Sequence, residues 1–240
     1  MRREFKSLLE YKKSKKDWHY NPSKKSKDCK YVGRIMNFNF STVKEKLERK
    51  NEETSTELYK EDLKNGILIP TQLDPESKAA SKLDHIKHGY NEHNSRYIQW
   101  IDNRDKLPKE FDELKNISGL DYVTIACFKQ NPGNTNPWHF DGYGGVKKKG
   151  NLSDANAKKI KRYLLFLEDW HWGHIIQVGN NILSQWKAGE IYTWSYGMYH
   201  LSANCGIYPK WTCQITGLPT KKALHLNKKK KFYIRKNKKL

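Results

Sequence analysis

The residues whose types and spacing could do chemistry are His139 and Asp141, in Trp138-His139-Phe140-Asp141, followed by Tyr199-His200 and then Lys210. In an extended strand the side chains at i and i+2 point to the same face, so His139 and Asp141 can reach one metal ion. His200, brought from elsewhere in the fold, completes a set of two imidazoles and one carboxylate. Such a set occupies one side of an ion and leaves the other side open. Two neutral rings and one carboxylate bring a single negative charge, so a divalent ion keeps net positive charge and favours an anionic bidentate ligand. Lys210 and Thr212 share a face of the expected next strand, where an ammonium and a hydroxyl together suit one carboxylate.

Each member also has a plainer explanation. His139 and Asp141 suit a hydrogen-bonded pair in a loop, His200 a satisfied core histidine, and Lys210 a solvated strand lysine. A His-x-Asp pair alone is a weak signal. With a distal histidine, and a basic residue ten positions beyond it, all within one β-rich stretch, the metal reading is favoured.

The elements that must position these residues change character near Leu120. Beyond it, Tyr122–Lys129, Arg162–Glu168, His174–Val178, Glu190–Trp194, Tyr199–Ala203 and Lys210–Gly217 are short β-branched or aromatic runs punctuated by Gly, Asn and Pro. That pattern predicts a barrel or a double-sheet jelly roll. Before it, the pattern predicts helices that brace one sheet. Thr42 to Lys50 has capping-box spacing at Thr42 and Glu45, and Thr54 with Glu57 repeats that spacing ahead of a stop at Gly66. A longer helix should start at Asp74-Pro75, with apolar positions Ala79, Leu83, Ile86, Tyr90, Tyr97 and Ile101. Pro108 should open a short helix carrying Phe111 and Leu114. Four segments result: a basic, poorly ordered 1–30 with a short helix near Phe5–Tyr11, a helical support region 31–118, a β core 119–218 and a basic tail 219–240.

The chain has 240 residues and a net charge of +20. Residues 1–30 hold 11 Lys/Arg against 4 acids, and residues 221–240 hold 10 with no acid, which leaves +3 for everything between. By this partition the basicity belongs to the ends. Such tails suit nucleic-acid phosphates or another polyanion. Lysines outnumber arginines 38 to 8, which also fits an AT-rich genome such as that of a phage or a small marine bacterium. No apolar run approaches the length of a membrane helix, and no export signal is read at the N-terminus. Four cysteines without framework spacing read as free thiols. The expected location is the cytoplasm, or the host cytoplasm for a viral protein.

His139-x-Asp141, His200 and Lys210 resemble the motif of the Fe(II)/2-oxoglutarate-dependent dioxygenases. The lysine in the basic position is similar to the prolyl 4-hydroxylase branch. Asn131-Pro132-Gly133, Ala188-Gly189-Glu190 and the stretch from His200 to Gly217 agree with it. The resemblance covers roughly residues 120–218. It implies a mainly β fold, a double-stranded β-helix of jelly-roll or cupin-like type, α+β overall with the N-terminal helices. It implies an enzyme that uses Fe(II), O2 and 2-oxoglutarate, and couples decarboxylation to succinate with hydroxylation of a C–H bond. His139, Asp141 and His200 would hold the iron. Lys210 would pair with the far carboxylate of 2-oxoglutarate, helped by Thr212 and by the hydroxyl of Tyr122 or Tyr163. Arg162 is a weaker rival to Lys210, because its place at a strand edge beside Lys161 suggests a side chain facing solvent.

The substrate is left among a peptide or protein side chain, a small molecule and a nucleobase. AlkB-type nucleobase demethylases carry a second arginine six residues after the anchor, where this chain has Thr216, so a peptide or small molecule is preferred. Two other readings stand beside the enzyme: a non-catalytic cupin-like metal-binding module, and a nucleic-acid-binding protein acting through residues 221–240 or the other basic end.

Overall fold

The computed structural model describes residues 29–54, 98–102, 106–226 and 231–233. Its elements, in chain order, are β1 (Cys29–Met36), α1 (Phe40–Thr54), β2 (Ile98–Ile101), α2 (Glu110–Ser118), β3 (Leu120–Gln130), β4 (Thr135–His139), α3 (Gly144–Gly150), α4 (Asp154–Ala157), β5 (Lys161–Phe166), β6 (His174–Val178), β7 (Asn181–Leu183), β8 (Glu190–Trp194), β9 (His200–Asn204), β10 (Lys210–Pro219), α5 (Lys221–Leu226) and β11 (Lys231–Tyr233).

These strands form two sheets. The larger has the order β11-β1-β8-β5-β10-β3-β2, and the smaller β4-β9-β6-β7. From β3 to β10 the chain alternates between them: β3, β5, β8 and β10 lie in the large sheet, β4, β6, β7 and β9 in the small one. Eight strands wound in this alternation are a double-stranded β-helix, a jelly roll that closes most of its own edges. The fold class therefore stands as the sequence predicted it.

Alternation along each strand divides the interior. On β5, Leu164 and Phe166 pack between the sheets with Ile176, Val178, Trp186 and Trp194. Tyr163 and Leu165 point the other way, into a core shared with Val43 and Leu47 of α1, Phe111 and Leu114 of α2, and Ala223 of α5. On β10, Trp211, Cys213 and Ile215 join that helix-side core. Lys210, Thr212, Gln214 and Thr216 therefore form a polar stripe along the inner face of the same strand. A third, smaller cluster of Tyr143, Val146, Ala157 and Ile160 packs with Tyr196 and Leu218, and seats α3 and α4 over one end of the barrel.

Local rules explain the element ends. α1 starts two residues earlier than its capping-box spacing suggests, because the Asn39 carboxamide accepts from the Thr42 N–H at 3.1 Å. α2 has Glu110, Asp112 and Glu113 in its first turn, beside the positive end of the helix dipole, and ends at Gly119 with φ 63°. A Cβ at Gly119 would lie 2.6 Å from the Ala223 backbone nitrogen.

Three strands arise where the sequence suggested something else. β1 contains Cys29 and Lys30 of the supposed disordered segment, and pairs with β8. β11 lies within the basic tail and runs parallel to β1. Residues 98–101, read as the end of a long helix, form β2 on the edge of the large sheet against β3. Tyr97 and Ile101 are four apart and mimic a helical stripe, but the period here is two. Gln99 and Ile101 face a cavity, while the buried ring of Trp100 stacks on Trp211 at 5.5 Å. The short helix near Phe5–Tyr11, the helix stopped at Gly66 and the body of the helix from Asp74 lie outside the described residues.

Candidate metal centre

His139 ends β4 and His200 begins β9, and the two are cross-strand partners. Their rings lie 4.4 Å apart between centroids. Asp141 follows β4 by two residues. Its Oδ2 is 3.1 Å from His200 Nε2, and its Oδ1 is 4.0 Å from His139 Nε2. All three donor atoms fall within 4.8 Å of one another. The three residues singled out in the sequence therefore converge at one end of the barrel.

The other nitrogen of each ring decides what these atoms can do. His139 Nδ1 is 2.6 Å from the Pro137 carbonyl, and His200 Nδ1 is 3.0 Å from the Met198 carbonyl. A carbonyl only accepts, so each Nδ1 carries the proton and each Nε2 of a neutral ring keeps its lone pair. This is how outer partners orient metal-binding histidines. Burial, then the charge of His200, pushes His139 down to about 4, so it is neutral at physiological pH. His200 Nε2 is buried and has no hydrogen-bond partner, although the Asp141 carboxylate faces it. Two acceptors held face to face are satisfied by a cation between them. The donor set thus fits a divalent metal with an open side.

Burial, the largest single effect, opposes the charge of Asp141, but Arg162, His200 and His139 together outweigh it, and the carboxyl is held well below its usual range. Arg162 Nη1 hydrogen-bonds Asp141 Oδ2, and its Nε donates to Thr216 Oγ1 at 3.0 Å. The guanidinium lies over the Tyr143 ring at 4.7 Å. Arg162 is only 8% exposed, so it does not face solvent as its position beside Lys161 suggested. The alternation Arg162-Leu164-Phe166, all facing inward, was the available signal. Thr216 carries no guanidinium, but its hydroxyl helps to hold one that comes from the neighbouring strand.

A cavity of about 340 Å³ opens beside His139 and Asp141, with Gln99, Thr124, Asn136, Arg162, Gln214 and Thr216 as its main polar lining. Gly144, Gly145 and Val146 of α3 form one wall. Asn136 and His139 both face it, although strand parity would separate them; a register shift between them turns both inward. Asn136 Oδ1 is buried without a partner. On the other side of the ligand set, a pocket of only about 20 Å³ runs inward past Gln130, His200, Ser202 and Thr212. The amides of Gln99, Asn136 and Gln214 are site residues that the motif reading missed.

The expected 2-oxoglutarate contacts are not brought together. Lys210 Nζ donates to Ile175 O at 2.9 Å, Ser202 Oγ at 2.8 Å and Ala203 O at 2.7 Å. Those three bonds use all the donors of an ammonium. Ala203 is three residues down β9 from His200, about 10 Å at ordinary strand rise. Thr212 shares the inner face as expected and lines the small pocket. Tyr163 points into the helix-side core, on the opposite face of β5 from Arg162, and its hydroxyl is buried there without a partner. Tyr122, near the start of β3, is 48% exposed and does not line the cavity. In this geometry the residues do not hold 2-oxoglutarate as they stand. The small pocket is too narrow for a five-carbon diacid, and Lys210 must first give up one acceptor.

No protein-family model matches the chain, and no curated protein matches its sequence. Similar solved structures include a cupin superfamily protein from Desulfitobacterium hafniense, 12% identical over 52% of this chain and 80% of that one, with a TM-score of 0.31. They also include a protein with a double-stranded β-helix domain from Klebsiella pneumoniae, 16% identical over 40% and 66%, TM-score 0.28. A predicted oxalate decarboxylase from Thermotoga maritima is 15% identical over 39% and 64%, TM-score 0.28.

Proposed function

We propose that the protein is an Fe(II)- and 2-oxoglutarate-dependent dioxygenase that hydroxylates an organic substrate. The observation that carries this reading is the ligand set. Two histidines are fixed by backbone carbonyls with both Nε2 lone pairs turned inward, and a carboxylate is held ionised beside a cavity of about 340 Å³. A closed structural site would surround its ion with a fourth protein ligand; among the described residues only three converge.

His139, Asp141 and His200 would hold the metal, which supplies oxygen activation when bound. In the overall balance one oxygen atom of O2 enters the succinate formed as 2-oxoglutarate loses CO2, and the other enters the C–H bond of the substrate. The chain's own contribution is positional. Arg162 keeps Asp141 ionised and turned toward the two rings. Asn136 and Gln214 offer amide groups on both sides of the ligand set. Were the small pocket to widen and Ser202 Oγ to be released, Lys210 would take the far carboxylate of 2-oxoglutarate, with Thr212 beside it. The deciding experiment is anaerobic loading with Fe(II), then 2-oxoglutarate and O2, with succinate measured. Metal binding without succinate would instead favour a non-catalytic module.

A further inference from the structure

The partition of charge by sequence set the basic ends apart from the site. One row of the large sheet runs Cys29, Trp194, Arg162, Thr216, Thr124, each paired with the next. Arg162, Thr216 and Thr124 of that row line the cavity.

The cap over this end is basic. Between Gly144 and Arg162 the chain has seven Lys/Arg and one acid, Asp154. Lys148, Lys149, Lys158 and Lys159 are exposed. Lys149 is drawn to the Val123 carbonyl and to Asp102, and Lys159 to Asn156. Lys148, Lys158 and Lys161 make no ion pair among the described residues. β10 ends at the same end of the barrel and continues into Lys221 and Lys222, both exposed. The opposite end differs: Glu168 and Asp169 are paired with Lys44 and Lys187, and the exposed groups include Trp172, Ile207 and Tyr208.

Aromatic rings also lie at this end. Phe140 packs on Tyr199, and the half-buried Tyr196 packs on Tyr143 beside Arg162. The cavity offers three side-chain amides, which both donate and accept as the edge of a nucleobase does, and a guanidinium, which only donates. Lysines that track a backbone, with rings and amides for the bases, are the features of single-strand binding sites. An enzyme that acts on a base also needs it outside the stack.

We propose that the metal end of the barrel is a docking face for single-stranded nucleic acid, with one base entering the cavity beside His139 and Asp141. This names the substrate class of the site and rests on the oxygenase reading only for what happens to the bound strand. Binding is therefore tested without turnover, on the full-length chain loaded with Mn(II), using a fluorescent 20-nucleotide single strand. The expected result is an affinity that falls as salt rises, by a slope that Lys148→Gln, Lys158→Gln and Lys161→Gln together reduce by about 2 in log–log units. Adding the base-specific probe, an abasic 20-mer should bind more weakly than the intact strand at every salt concentration. The proposal is overturned if the triple variant keeps the wild-type slope, if an acidic polyglutamate competes as well as the strand, or if duplex binds as tightly as single strand. Failure to form succinate, with these binding results intact, would sink the oxygenase reading alone.

Discussion

Arg162 and Asp141 meet across the two sheets: the arginine rises from β5 of the large sheet and hydrogen-bonds the carboxylate that follows β4 of the small one. The carboxylate thereby keeps its charge despite burial, and its second oxygen stays turned toward His139. Partners of this kind typically change metal affinity by about 10–100-fold when removed. Arg162→Gln should weaken Mn(II) binding by that order in calorimetry, with the fold retained. Unchanged affinity would mean that the pair serves packing only.

Lys210 is the largest departure from the motif reading. Its placement on the inner face of β10 followed from the sequence; its three backbone and hydroxyl acceptors did not, because they belong to strands 35, 8 and 7 residues away in the chain. If it releases Ser202 to bind the co-substrate, Lys210→Met should raise the KM for 2-oxoglutarate at least tenfold while metal affinity holds. An unchanged KM would transfer the anchoring role to Arg162, the cation that already lines the large cavity.

The same lysine should leave a signature in stability. Burial pushes it down to about 7 from an ordinary value of 10.5. Between those values the unfolded chain keeps a proton that the folded chain has released, so stability rises with pH across that window and is lowest below it. Urea midpoints measured from pH 7 to 10 should climb in the wild type and climb less in Lys210→Met. Parallel slopes would show that this side chain does not titrate in the window.

Much of the architecture was readable before folding, for identifiable reasons. The β10 alternation of Trp211, Cys213 and Ile215 against Lys210, Thr212, Gln214 and Thr216 is visible as a period of two; the ligand pair was visible by its types and spacing, although Asp141 lies two residues past the end of β4 and not on the strand face that the spacing suggested. What was hidden depends on long-range pairing. β2 looked helical because its short run offers too few residues to separate the two periods. Arg162 looked solvated because its partners, Thr216 and Asp141, come from other strands. Asn136 was invisible because a register shift, not parity, turns it inward.

The stacked pair Trp100 and Trp211 is what fastens the edge strand β2, and with it Gln99 and Ile101, to the cavity wall. Trp211 is 4% exposed, so Trp211→Ala should cost ~3–5 kcal/mol of stability by loss of buried ring and creation of a cavity. Chemical denaturation measures this directly. A loss below about 1 kcal/mol would mean that the helix-side core closes over the gap.

The central claim is that His139, Asp141 and His200 form an open metal centre that turns over 2-oxoglutarate. The most direct measurement is succinate formed per Fe(II)-loaded protein under O2, in the wild type and in His139→Ala. The account expects metal-dependent succinate in the wild type and its loss in the variant. Equal succinate from both, or none from a wild type that binds Fe(II), would contradict it.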